Sequence, residues 1–210
     1  MRSGLLTKAV PVSAEIKKKH QVFYYLNIIK ALGAKVPEAP VPRIYISDRE
    51  KAAAKAFLER EGLSGKPVFG AAPGAAFGPA KRWPSERFAS VLKGLVDEYK
   101  GCALVFGGPD DKEACSGVKA ALPSVTDLSG RITLRESIAL VALTKVFITN
   151  DSGPMHLAAA IGVPTVGIFG STEDSLTGPV GRKAVSVREK IDCSPCFKRE
   201  CPFGHYDCLK

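Results

Sequence analysis

The chain has 210 residues, 45% of them hydrophobic and 24% charged, and 30 basic against 21 acidic side chains give a formal net charge of +9. That length allows one sizeable domain with an appendage. It contains no apolar run of the roughly 18 residues a transmembrane helix needs, and no apolar N-terminal stretch of the signal-peptide kind. The charge balance calls for an anionic partner. Its cations are scattered and its aromatics do not interleave with them, which argues against nucleic acid and for a phosphorylated ligand or an anionic lipid surface.

In chain order, Ala14 to Leu32 reads as one helix with Val22, Tyr25, Leu26 and Ile29 on one face and Gly33 ending it. Residues 36–46 are Pro-rich and extended. Ser47-x-x-Glu50 is a capping-box signature for a helix that runs to Glu61 and stops at Gly62. There follow a strand over 67–71, a helix over 85–100, a strand over 103–106 and a helix near 110–121. Next come a short strand over 125–128, a helix over 134–143, a strand over 146–149, a helix over 155–161 and a strand over 164–169. Strands alternating with helices predict an α/β fold with a doubly wound, mostly parallel sheet and right-handed crossovers. Ligands in such sheets bind beyond the carboxyl ends of the strands.

Two strand ends carry chemistry. At 146–160 a β-branched run stops at Asn150-Asp151-Ser152-Gly153-Pro154, and a helical pattern with Met155, His156 and three alanines starts at once. A helix N-terminus has unpaired N–H groups and a partial positive charge, so this junction suits an anion. Gly153 admits close approach of a ligand, and Pro154 suits the start of a helix. Asp151 and Ser152 read equally as ligand contacts or as plain helix caps. His156 reads as a ligand contact or as a core imidazole bonded to a carbonyl. The second loop, 70–84, is shaped by three Gly and three Pro and ends in Lys81, Arg82 and the only Trp. A Lys delivered to the mouth of a sheet suits a diphosphate, with a solvated cation as the lesser alternative; the loop lacks the Walker spacing. Trp83 reads as packing.

Lesser loops follow. Asp110, in Gly107–Asp111, is a candidate for a ribose hydroxyl or a helix N-cap. Gly170–Glu173 is a further candidate lining. Cys193, Cys196, Cys201 and Cys208 are spaced C-x2-C-x4-C-x6-C around His205, a low-odds metal candidate that matches no common zinc module; reduced or redox-labile thiols are the preferred reading. Cys102 and Cys115 read as buried small hydrophobes.

The segments PGAAFGPAKRWP (73–84), NDSGPMHLAAAIGVPTVGIFG (150–170) and CSPCFKRECPFGHYDCL (193–209) together resemble the bacterial ADP-heptose:lipopolysaccharide heptosyltransferases of the GT-B class. The third is characteristic of their heptosyltransferase II branch, and the likeness spans nearly the whole chain. The resemblance implies a Rossmann-like C-terminal domain of a two-domain enzyme that moves heptose from ADP-heptose to the inner core of lipopolysaccharide with inversion. It implies that Lys81 stabilises the leaving diphosphate and that Asp151, Ser152, Gly153, Pro154, Met155, His156 and Asp110 bind the donor. The general base then belongs to an N-terminal domain preceding this sequence, present in cis or in trans. On that reading residues 1–46 are an interdomain segment and connecting helix, 47–190 the donor-binding domain and 191–210 a Cys-rich segment. No metal or cofactor is expected beyond the donor substrate, and the location expected is cytoplasmic, peripheral on the inner membrane. A non-catalytic nucleotide-sugar-binding module that needs a separate acceptor-domain chain is the alternative.

Overall fold

A computed structural model describes residues 6–210; Met1–Leu5, at the start of the expected interdomain segment, lie outside the described residues. The N-terminal segment holds α1 (Ala14–Lys18) and α2 (Gln21–Ala31), followed by an extended stretch. The single helix expected over 14–32 is therefore two. Ser13 caps α1 through a hydrogen bond from Ile16 N–H, and His20, in an extended conformation, caps α2 with its own ring. A backbone that leaves helical dihedrals at Lys19 and His20 to make a cap cannot continue the ladder. Gly33 follows α2 with φ +90°, as a helix stop requires.

Helix α3 (Asp48–Arg60) carries the expected capping box, with Glu50 accepting Ser47 N–H at 2.8 Å. Then β1 (Val68–Ala72), α4 (Ser85–Tyr99), β2 (Cys102–Val105), α5 (Lys112–Ala121) and β3 (Thr126–Asp127) alternate. They are followed by α6 (Leu134–Val141), β4 (Thr144–Asn150), α7 (Gly153–Ile161), β5 (Thr165–Phe169), α8 (Asp174–Thr177) and β6 (Ala184–Arg188). The six strands form one sheet in the order β3-β2-β1-β4-β5-β6, parallel throughout. The doubly wound expectation holds. Strand β6, which carries no apolar run of its own, was not foreseen: it is an edge strand with alternating partial exposure.

Both faces of the central strands are covered, so they read as continuous apolar runs. On one face Ala54 and Leu58 of α3, Leu140 of α6 and Ala158 of α7 pack with Leu104 and Phe147. On the other, Phe88 and Leu92 of α4 and Val118 of α5 pack with Phe69, Val105 and Ile148. Cys115 belongs to that second core, and its thiol is pushed up to about 12 chiefly by burial. Trp83 packs edge-on against Phe88, ring centroids 5.1 Å apart. The C-terminal segment returns to the sheet and buries Leu209 beside Gly170. No helix among the described residues is long and apolar enough to cross a membrane.

Candidate functional site

The chain order of the strands reverses between β1 and β4, and a crevice opens at the carboxyl ends of strands on either side of such a switch point. The two loops singled out in the sequence leave β1 and β4 side by side. Asn150, the last residue of β4 and fully buried, joins them. Its Oδ1 accepts Trp83 N–H at 3.0 Å and its Nδ2 donates to Pro73 O at 2.7 Å. Both ends of the β1 loop are thereby fixed to the end of β4. Sequence reasoning had passed over Asn150; the available signal was a polar residue closing an apolar strand.

Between those anchors the loop lies close against its neighbours. At Gly74 a Cβ would stand 2.0 Å from Asp111 Oδ1, and at Gly78, with φ +145°, it would stand 2.5 Å from Arg199 O. At Gly78 both the dihedral and the backbone contact demand glycine, and at Gly74 any side chain would displace the Asp111 carboxylate. A short 3-10 turn over Pro79–Lys81 then brings Lys81 inward, with Ala80 N–H bonded to Arg199 O at 3.0 Å.

Lys81 meets Asp151 here. Its Nζ lies 2.5 Å from Asp151 Oδ2 and 4.8 Å from the centroid of the Phe77 ring, and the two charged side chains are only 13% and 5% exposed. Thr172 Oγ1 donates to the same Asp151 oxygen at 2.7 Å. Asp151 is therefore neither a helix cap nor a free acceptor: it holds the Lys81 ammonium and is itself held by Thr172. The cap position of α7 belongs to Ser152, yet Ser152 Oγ donates to Asn150 O at 3.2 Å and no side-chain cap closes the helix. A Cβ at Gly153 would meet nothing within 4 Å, so the helix N-terminus opens onto free space. Pro154 follows in the first turn and Met155 is buried.

His156 is exposed rather than a core imidazole. Its pKa lies below the usual value, chiefly because part of the ring is withdrawn from water; Asp151 pulls against that, while His20 and Lys81 add to it.

Beside the uncapped turn runs a cleft of about 190 Å³ that contains Gly74, Arg82, Gly108, Asp110, Asp111 and Gly153 in its walls. Asp110 is exposed on its rim, in a 3-10 turn over Pro109–Asp111. The position before α5 is filled instead by Asp111, whose Oδ2 accepts Gly108 N–H at 3.0 Å. The cleft leads into an apolar slot of about 290 Å³ bounded by Phe106, Ile132, Leu134, Pro154 and Leu157. A polar cleft at a helix N-terminus beside an apolar slot suits an anionic ligand with an apolar portion.

The remaining candidates stand behind the Lys81 loop. Within Gly170–Glu173, Ser171 N–H bonds Ala80 O, Thr172 holds Asp151, and Glu173 takes a 2.9 Å bond from Arg188. Arg199 of the Cys-rich segment donates to Phe77 O at 2.6 Å. Cys193, Cys196, Cys201 and Cys208 are free and partly exposed. Burial pushes the Cys208 thiol up, as do Cys196, Cys193 and Cys201, while backbone N–H groups, that of Tyr206 first, pull Cys201 down. Among the described residues no group of three or more His, Cys, Asp or Glu side chains is arranged to hold a metal ion.

Residues 1–207 match the family model described as glycosyltransferase family 9 (heptosyltransferase). Lipopolysaccharide heptosyltransferase 2 of Salmonella typhimurium is 37% identical over 199 residues, which are 90% of this chain and 56% of the relative. Lipooligosaccharide heptosyltransferase 2 of Campylobacter jejuni is 37% identical over 153 residues, 70% of this chain and 47% of the relative. The chain thus spans about half the length of the curated relatives it matches. A solved structure of ADP-heptose LPS heptosyltransferase II from Escherichia coli superposes with a TM-score of 0.77 at 32% identity, covering 94% of this chain and 64% of that one.

Proposed function

This chain belongs to glycosyltransferase family 9, the heptosyltransferases, and on that premise we propose that it is the donor-binding half of an enzyme that transfers heptose from ADP-heptose to the inner core of lipopolysaccharide. The observation that carries this reading is the uncapped N-terminus of α7, directly preceded by the buried Asp151 with its partner Lys81 at the β1/β4 switch point.

In this reading the diphosphate lies across the first turn of α7, at Ser152, Gly153 and Pro154, with Lys81 and His156 at its edge. Adenine enters the apolar slot beside Ile132 and Pro154, and the ribose faces Asp110 and Asp111. As the bond to the heptose breaks, negative charge grows on the departing diphosphate. The α7 N–H groups and the Lys81 ammonium, held in place by Asp151, meet that charge without rearrangement, so the reading needs no metal ion. Attack with inversion requires a base within hydrogen-bond reach of the acceptor hydroxyl. We assign that base to an acceptor-binding domain contributed by chain outside residues 47–190, joined through the segment 1–46 or supplied separately. If supplied separately, this chain is a nucleotide-sugar-binding module that acquires activity from its partner. The +9 charge suits peripheral contact with an anionic cytoplasmic leaflet, and the segment 191–210 supports the Lys81 loop through Arg199.

The test is a residue-resolved titration with ADP. Amide NMR shifts at Gly74, Gly108 and Gly153 support the placement. Shifts confined to the larger groove of about 450 Å³ between α4 and strands β4–β6 on the other sheet face would refute it.

A further inference from the structure

Among the described residues, the segment before α3 is hydrogen-bonded to the sheet domain at both its ends. Near α3, Ile44 N–H donates to Ala160 O of α7 at 3.0 Å and Arg135 of α6 donates to Tyr45 O at 3.4 Å. The tie nearer the N-terminus is His20, in the break between α1 and α2. Its Nδ1 accepts Val22 N–H at 3.2 Å, and its Nε2 lies 2.9 Å from Gly178 O, just past α8. A carbonyl oxygen only accepts, and Nδ1 is already accepting from Val22 N–H, so Nε2 is the ring nitrogen that donates to Gly178 O. One side chain thereby caps α2 and ties it to a residue 158 positions away.

That tie lies near the site: His20 is among the groups that bear on the proton affinity of His156, in the first turn of α7. Helix α8 opens at Asp174, two residues past Thr172, which holds Asp151. Between the N-terminal helices and α8 lies a cavity of about 320 Å³ with Lys17, Lys19 and Tyr24 on one side and Leu176 and Thr177 on the other. Apart from these ties, the α1–α2 hairpin is held lightly, since neither helix buries a single residue.

We propose that His20 is a positioning residue for the donor site: through the Nε2–H bond to Gly178 it holds the α1–α2 segment against α8, the helix that follows closely on Thr172 and its bond to Asp151. The proposal rests on the donor-site reading above. A plain helix cap is the competing account, and the two roles use different atoms of one ring, so they separate by substitution. His20→Asn keeps a good N-cap acceptor but is too short to reach Gly178. His20→Gln is a poor cap but presents an amide N–H close to where Nε2 stands.

The experiment uses the full chain, with ADP affinity from calorimetry and hydrogen exchange over residues 14–31 as its two readouts. If His20 positions the segment, His20→Gln keeps ADP affinity within about twofold, whereas His20→Asn weakens it about 3- to 10-fold, the range of one part-buried neutral hydrogen bond. Exchange in α1 and α2 then rises in the Asn variant and not in the Gln variant, with β1 and β4 unchanged in both. Parent-like behaviour of His20→Asn in both readouts, or equal losses in the two variants, would overturn the proposal. A parent chain that binds no ADP overturns the donor-site reading instead, and the exchange pattern then decides the tie by itself.

Discussion

Helix α7 buries Met155, Ala158 and Ala159, and packs on β4 and β5. Helix α2, slightly longer and also mostly apolar, buries nothing and leaves Tyr25, Ile29 and Leu32 exposed, Leu32 to 68%. The first is seated by strands that flank it in the sequence. The second is held by polar ties: His20 to Gly178, and Asn27 Nδ2 to Pro11 O at 3.1 Å. An apolar stripe foretells a helix and a face, but what lies against that face is decided elsewhere. The same contrast separates the site from the segment beside it. The site is built on buried, mutually bonded polar groups; the N-terminal helices rest on a few partly exposed hydrogen bonds.

The contrast is broken most severely at the ion pair. Asp151→Ala leaves the Lys81 ammonium largely buried with no carboxylate, and urea denaturation should show a loss of about 3–5 kcal/mol. Replacing both partners, Lys81→Met with Asp151→Leu, should recover most of that loss, because two apolar groups need no partner. A loss below about 1 kcal/mol for Asp151→Ala would mean that water reaches the pair freely.

Asn150→Ala comes next. It strands Pro73 O and Trp83 N–H at the switch point and should lower stability by about 2–4 kcal/mol in the same measurement. Fluorescence of the only Trp gives a local readout of the loosened loop.

A smaller effect is expected in the titration of His156. The folded protein binds this proton less readily than the unfolded chain does. The ring's contribution to stability is therefore present above the ordinary imidazole pKa and is withdrawn as pH falls below it. Since Lys81 contributes to the depression, Lys81→Met in the Asp151→Leu background should alter the His156 midpoint, followed by NMR. Loss of the Lys81 charge raises it and loss of Asp151, the larger influence, lowers it, so the added Lys81→Met should raise the midpoint relative to Asp151→Leu alone. Asp151→Asn alone should lower it.

The smallest effect is on α2. Leu32→Ser or Tyr25→Ser should change stability by no more than about 0.5 kcal/mol, since neither side chain is buried. A loss as large as that of Asn150→Ala would show that the face of α2 is covered in solution.

The order of strands and helices and the two loops that leave β1 and β4 side by side were legible in the sequence because each rests on local rules: apolar runs, a capping box, a Gly/Pro-shaped loop. The break at His20 was not legible, since an unbroken apolar stripe hides a cap made by an imidazole. Strand β6 was missed because Ala184-Val185-Ser186-Val187-Arg188 is an edge strand and lacks a buried run. In the site, the types Lys81 and Asp151 were legible, while their pairing across 70 positions was not. The roles of Asn150 and Thr172 depend on which loops the sheet brings together, and no spacing in the chain encodes that.

The central claim is that a diphosphate is held at the β1/β4 switch point by the α7 N-terminus and Lys81. Calorimetric titration of ADP and of adenosine into the parent chain and the Lys81→Met/Asp151→Leu variant tests it most directly, because that variant removes both charges without leaving either one buried alone. The account predicts that ADP binding weakens about 10-fold or more in the variant while adenosine binding is unchanged. Equal losses for ADP and adenosine, or no loss for either, would contradict it.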